Sequence, residues 1–262
     1  MFRRLPIAGL LLAIALALAV GATAAVAEPR PAAAPQPAVP PPRVRDPEPE
    51  PPRADEQVSS FTTRFTAGEP RVVNIGRAAA LLDGTVLGPG QTFSMNAALG
   101  ERTVDRGFVP APMIFGGRLV DSVGGGISQV ATAVYNAAFF AGLELVEHTP
   151  HSFYIDRYPM GREATISWGG PELVFRNDWP APLRMVLSTT HTSLTVRFLS
   201  ARLGRRVETE TSQPYDRIGE TGFTVEYTRR VYRFERLLRD ERYRWRYQPK
   251  FEEIGLRRTG GT

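Results

Sequence analysis

The sequence predicts an α+β fold in which short strands pack around one central buried helix, with a β-hairpin extension at the C-terminal end. Three observations predict it. Residues 129–143 carry Val130, Val134, Ala137, Ala138 and Ala141 along one helical face and Phe139 and Phe140 on the other, the pattern of a helix buried all round. Short β-prone runs bounded by turn residues flank it, so helix and strands belong to one mixed domain. Toward the C-terminal end Phe223, Val225 and Tyr227 alternate with Thr224, Glu226 and Thr228, and Tyr243, Trp245 and Tyr247 alternate with Arg242, Arg244 and Arg246. A period of two gives a hairpin with one aromatic and one basic face.

The elements follow in order. Arg3 and Arg4, the apolar run Leu5 to Val20 and the triplet Ala25-Val26-Ala27 read as an export signal over 1–27, with Glu28 first in the mature chain. The same stretch also suits an uncleaved anchor across a bilayer core of roughly 30 Å. Either way the remainder is expected outside the cytoplasm, extracellular or attached to the cell envelope. Residues 28–57 are dominated by proline and bury too little apolar surface to offset the entropy of ordering, so they form a tether. The domain over 58–200 then opens with a strand at Ser59 to Phe65. Ile75, Ala78, Ala79 and Leu82 predict a helix from Asn74 to Leu82, ended by Asp83-Gly84. Gly88-Pro89-Gly90 turns into a short strand over Phe93 to Asn96, and Gly100 to Thr103 is a polar loop. Phe108 to Phe115 turns at Gly116-Gly117 into Arg118 to Val120. After the central helix Pro150 makes a loop of Glu147 to Ser152. Strands are expected at 163–168, 172–175, 183–188 and 193–198, before the extension over 201–262.

Cysteine is absent, which excludes a disulfide framework, thiolate chemistry and cysteine metal sites. The formal net charge is +5, and residues 201–262 hold fifteen basic and ten acidic side chains, so the basic character belongs to the extension. Basic and aromatic interleaving can signal nucleic-acid binding, but an exported protein rarely meets that partner. The expectation is a hairpin laid on the core by its aromatic face, with an arginine face that attracts anionic wall polymers or a membrane surface.

The run Val123-Gly124-Gly125-Gly126-Ile127-Ser128-Gln129 enters the central helix. Glycines tolerate tight turns and close approach of backbone to a ligand, and a helix start offers N–H groups and partial positive charge. Ser128 at that entrance is either a nucleophile beside an oxyanion hole or an N-cap that stabilises the helix by around 1 kcal/mol.

These residues, together with Phe93-Ser94-Met95-Asn96, Gly100-Glu101-Arg102-Thr103, Tyr135-Asn136-Ala137-Ala138, His148-Thr149-Pro150-His151-Ser152, residues 158–165 and Phe175-Arg176-Asn177, resemble the VanW family, named after an accessory protein of vancomycin-resistance clusters. The resemblance implies an extracytoplasmic bacterial envelope protein. Some members look like L,D-transpeptidases that join peptidoglycan stem peptides through a cysteine, which falls at the position of Ser128. An alcohol is not ionised by a helix end or a nearby imidazolium as a thiol is, so it needs a general base.

His148 or His151 would serve as that base, or else packs a loop. Two neighbouring histidines make too few ligands for a divalent ion, and no cofactor is expected. Arg162 either clamps a stem-peptide carboxylate or pairs with an acid such as Glu163. Arg102 and Asn96 pose the same choice. The expected site is a cleft formed by Gly124, Gly125, Gly126 and Gln129, the His148–His151 loop and Arg162. It would bind peptidoglycan stem peptides with little or no catalysis. The alternatives are an acyl transferase or hydrolase with Ser128 as nucleophile, and a structural envelope-assembly partner that uses the extension.

Overall fold

Alternating burial along Glu56–Arg64 makes the first strand, β1, in the computed structural model, which describes residues 55–250 apart from Gly116 and Gly117. The expected export segment 1–27, the linker up to residue 54, the Gly116-Gly117 turn and residues 251–262 lie outside the described residues. The chain continues through α1 (Arg71–Leu82), β2 (Val86–Leu87), β3 (Thr92–Ser94), α2 (Met95–Leu99), a 3₁₀ turn at Val104–Arg106, β4 (Pro110–Phe115), β5 (Arg118–Val123), α3 (Ile127–Phe140), β6 (Glu144–Glu147), β7 (Val174–Arg176), β8 (Leu183–Thr189) and β9 (Ser193–Ser200). The C-terminal part adds β10 (Arg205–Thr211), β11 (Tyr215–Ile218), β12 (Gly222–Arg233) and β13 (Arg236–Tyr247). The fold is mixed and mostly sheet.

Four antiparallel sheets result, ordered β1-β9-β8-β2, β3-β7-β6, β4-β5, and β10-β12-β11 with β13 on β12. Strict alternation in β9 turns Leu194, Val196 and Phe198 inward. From α1, Ile75, Ala78, Ala79 and Leu82 join them, and α3 buries both of its sides, from Val130 and Val134 to Tyr135 and Phe139. Among the described residues no helix is long and apolar enough to cross a membrane.

Four sequence expectations need correction. The helix starts at Ile127 and ends at Phe140, since Ala141 caps it and Gly142 turns away at φ +69°. Residues 93–96 are only partly strand: the Ser94 hydroxyl accepts the Ala97 N–H and Glu172 accepts the Asn96 N–H, which starts α2. The strand expected at 172–175 shifts to β7. Residues 163–168 form no strand, because their N–H groups are taken individually: Ala164 donates to Thr132 Oγ1 at 3.1 Å, Thr165 to the Thr149 carbonyl at 2.7 Å and Ile166 to Ser128 Oγ at 3.3 Å. An extended segment clamped by helix hydroxyls has no ladder to join.

The extension is a four-stranded sheet built on the β12–β13 hairpin, with Phe223 opposite Tyr247, Val225 opposite Trp245 and Tyr227 opposite Tyr243. Its aromatic face lies inward, and Arg242, Arg244 and Arg246 are exposed. Three of its arginines hold the C-terminal end of α3. Arg229, fully buried, donates to the Phe139 carbonyl at 3.1 and 2.9 Å and to that of Leu143 at 2.8 Å, and pairs with Glu241 at 2.7 Å. Arg205 and Arg239 both donate to the Gly142 carbonyl and pair with Asp178. Burial alone would raise the Asp178 pKa, but these two arginines hold it below the usual carboxylate range. Cations thus neutralise the negative end of the helix dipole.

Candidate functional site

The glycine run packs against protein backbone before it meets any ligand. A Cβ on Gly125 would lie 2.1 Å from the Ala111 carbonyl oxygen, so only glycine permits β4 to approach this closely. Asn74, buried in α1, fastens the junction. Its Nδ2 donates to the carbonyls of Val109 and Gly125, each at 2.9 Å, and its Oδ1 accepts the Val109 N–H at 2.8 Å. Gly124 and Gly126 adopt φ of +87° and +96°, and Gly126 is the helix cap. Ser128 therefore sits inside the first turn of α3 and is not an N-cap. Its hydroxyl serves residue 166 instead.

Beside this turn lies a cleft of about 970 Å³. Of the residues singled out in the sequence, it brings together Gly124, Gly126, Ser128, Gln129, Arg102 and His151. Phe153, Tyr154, Tyr158 and Trp168 add an aromatic wall, and Arg71, Arg157 and Lys250 add positive charge. Burial pushes the Tyr158 phenol up to about 12, so this part of the wall is neutral.

His151 is buried, and its Nδ1–H donates to Glu163 at 2.5 Å. With the carboxylate accepting from Nδ1–H, Nε2 is the acceptor of a neutral ring. Glu163 is itself fully buried and accepts the Tyr247 hydroxyl at 2.8 Å, while the Gly161 N–H donates to that hydroxyl at 2.7 Å. Burial first, then the charge of Glu163, raises the Tyr247 pKa. Trp245 Nε1 donates to the His151 carbonyl at 2.9 Å. Two strand-β13 side chains thus hold the His151 backbone and the Glu163 carboxylate. The arrangement suits a general base, yet among the described residues Ser128 has no hydrogen bond to it.

The remaining candidates stand elsewhere. His148 stacks on Tyr135 at 4.1 Å, lies 3.3 Å from the Tyr227 hydroxyl and does not line the cleft. Burial lowers its pKa to about 4, so it is neutral. Arg162 also lies off the cleft, its guanidinium 5.3 Å from the Phe139 ring centre and 5.2 Å from that of Phe140, where burial lowers its pKa. It forms no pair with Glu163, whose oxygens are committed to His151 and Tyr247. Asn96 and Gly125 are buried and do not line the cleft. Asn96 Oδ1 accepts from Arg102 Nη1 at 2.8 Å and so aims that side chain. Burial lowers the Arg102 pKa, against the opposing charge of Glu172.

Sequence reasoning missed Glu163 as the partner of His151, and with it Tyr247, Trp245 and Arg71. The spacing from His151 to Glu163 forms no helical or strand repeat, and β13 is remote in sequence. No cluster of three or more His, Asp or Glu side chains suited to a metal occurs among the described residues.

The VanW like protein family model matches residues 70–199. The uncharacterized protein YoaR of Bacillus subtilis (strain 168) is 39% identical over 129 residues, 49% of this chain and 43% of that protein. The vancomycin B-type resistance protein VanW of Enterococcus faecalis (strain ATCC 700802 / V583) is 27% identical over 117 residues, 42% of each. The matched part of the chain spans less than half the length of either relative. No solved structure matches significantly. The glycine turn, the His151–Glu163 pair and the cleft lining other than Glu69 and Lys250 lie within the matched stretch, so the chain carries a VanW-like domain over residues 70–199.

Proposed function

We propose that this protein acts in the cell envelope, outside the cytoplasm, where its VanW-like domain binds peptidoglycan stem peptides in the cleft beside Ser128 and catalyses little or no acyl transfer. One observation carries the reading: the Ser128 hydroxyl accepts the Ile166 N–H at 3.3 Å, with no imidazole bonded to it among the described residues, inside a cleft lined by aromatic and cationic side chains. An unactivated alcohol is a poor nucleophile, and an aromatic trough with arginines suits a peptide bearing carboxylates. A relative named as a vancomycin B-type resistance protein supports the envelope setting. Titration of the protein with purified stem peptides, followed by intact-mass measurement, tests it. Saturable binding without a mass increase is the expected result, and an acyl adduct on Ser128 would overturn it.

The His151–Glu163 pair favours a second reading. Ser128 Oγ would attack a stem-peptide carbonyl while His151 Nε2 takes its proton and returns it to the departing amine, and the acyl group would then pass to another amine or to water. Ser128→Cys tests whether the remaining site is competent: adduct formation by this variant alone means that the scaffold is intact and the thiol is what it lacks. The exposed arginines of β13 extend the first reading to anionic wall polymers, through contacts that weaken as salt rises.

A further inference from the structure

Two arginines sit on the glycine turn. A Cβ on Gly124 would lie 2.9 Å from Cβ and 3.1 Å from Cγ of Arg102, and one on Gly126 would lie 2.8 Å from Cβ and 3.2 Å from Nε of Arg71. The space that side chains at 124 and 126 would occupy is taken by the stems of Arg102 and Arg71, and both arginines line the cleft that contains Ser128. The glycines seat the arginines, and the arginines reach the ligand space.

The two side chains are held differently. Arg102 Nη1 donates to Asn96 Oδ1 and to the Gly100 carbonyl, each at 2.8 Å, which anchors one corner of the guanidinium and leaves its other N–H groups without a bond among the described residues. Arg71 has no hydrogen bond or ion pair among the described residues, and its Nε is buried without a partner. The acids that line the same cleft, Glu69, Glu101 and Asp156, are exposed, and none forms an ion pair with either arginine among the described residues.

Two further polar atoms of the cleft lining share this condition. Gln129 Nε2 donates to the Arg64 carbonyl at 2.8 Å, which fixes the amide and leaves Oε1 buried and unpartnered. Thr165 Oγ1 is buried and unpartnered as well. A buried donor or acceptor without a partner costs about 1–3 kcal/mol, and a cation needs a counter-charge more than a neutral group does. A planar guanidinium matches a carboxylate. The amide oxygen of Gln129 needs an N–H, so the complementary ligand carries a carboxylate and a nearby amide N–H.

We propose that Arg71 and Arg102 form a carboxylate subsite for the free C-terminal end of a peptide, with Gln129 Oε1 accepting a backbone N–H of the same peptide. This rests on the stem-peptide reading above and names the group that the cleft recognises. The subsite lies beside Ser128, so the end of the peptide, and not its middle, is presented to that residue.

Calorimetric titration of the full chain with a stem tetrapeptide and with the same peptide as its C-terminal amide tests the subsite. The free acid should bind about tenfold or more tightly than the amide. Arg71→Gln, shown to be folded by circular dichroism, should weaken acid binding by a similar factor, leave amide binding unchanged and so bring the two ligands together. Arg102→Gln should act in the same direction. Equal affinity of the wild-type protein for acid and amide overturns the carboxylate subsite and leaves peptide binding standing. Failure to bind either peptide overturns both. Undiminished acid binding by Arg71→Gln removes Arg71 from the subsite.

Discussion

His148 stacks on Tyr135, meets the edge of Tyr243 at 5.9 Å and lies 3.3 Å from the Tyr227 hydroxyl. Burial lowers its pKa from 6.5 to about 4, although a hydrogen bond to the Gly161 backbone opposes the shift. In the unfolded chain the imidazole takes up a proton as pH falls through about 6.5, whereas in the folded chain it stays neutral until about pH 4. Between those values the unfolded state binds more protons, so stability falls with falling pH, by about 3 kcal/mol across the whole window. His148→Phe keeps an aromatic ring in the stack and removes the titration. Urea unfolding at pH 7 and pH 5 should therefore show a smaller acid-side loss for the variant than for the wild type; equal losses would place the titrating group elsewhere. The sequence presents His148 and His151 as equivalents three residues apart. What separates them is Tyr227 and Tyr243 around one and Glu163 and Tyr247 around the other, and those contacts arise from distant strands that no local pattern encodes.

The glycine turn and the segment 163–168 show what packing does to local propensity. Gly125 has an ordinary φ, so its requirement is space: a methyl group there would sit 2.1 Å from one backbone oxygen and 2.9 Å from another, and neither can rotate away. Gly125→Ala should destabilise the domain by about 3 kcal/mol and pull β4 from the turn. Gly76, in the interior of α1 with open space around it, provides the contrast, and Gly76→Ala should stabilise by about 0.5–1 kcal/mol through helix propensity. Comparison of urea midpoints for the two variants checks both signs, and a mild Gly125→Ala would mean that the strand yields. The three glycines were legible as a special backbone site. Their use against Ala111, Arg102 and Arg71 was not, since each neighbour comes from another part of the chain. Residues 163–168 alternate as a strand does, but Ser128 and Thr132, one helical turn apart, take alternate N–H groups that a neighbouring strand would have taken.

Across the whole molecule, the extension completes what the matched stretch begins. Residues 70–199 carry all of the cleft lining but Glu69 and Lys250, yet Trp245 and Tyr247 hold the backbone of His151 and the carboxylate of Glu163, and Arg205, Arg229 and Arg239 donate to the carbonyls where α3 ends. The aromatic alternation made the inward face legible. The role of Arg229 was not: the period of two puts it on the inward face with Phe223, Val225 and Tyr227, but nothing in sequence shows the helix carbonyls that it meets there. Arg229 is fully buried and spends its guanidinium on Phe139, Leu143 and Glu241. Arg229→Ala would strip two carbonyls of their donor and leave the partly buried Glu241 without its counter-charge. Removing one partner of a buried pair typically costs about 3–5 kcal/mol. The loss should appear as a lower urea midpoint for the whole domain, with protection of the α3 amides against hydrogen exchange falling in step, since the helix loses its C-terminal support. A loss below about 1 kcal/mol, with α3 still protected, would mean that the helix end finds other donors and that the extension is an added layer, with the cleft domain stable without it.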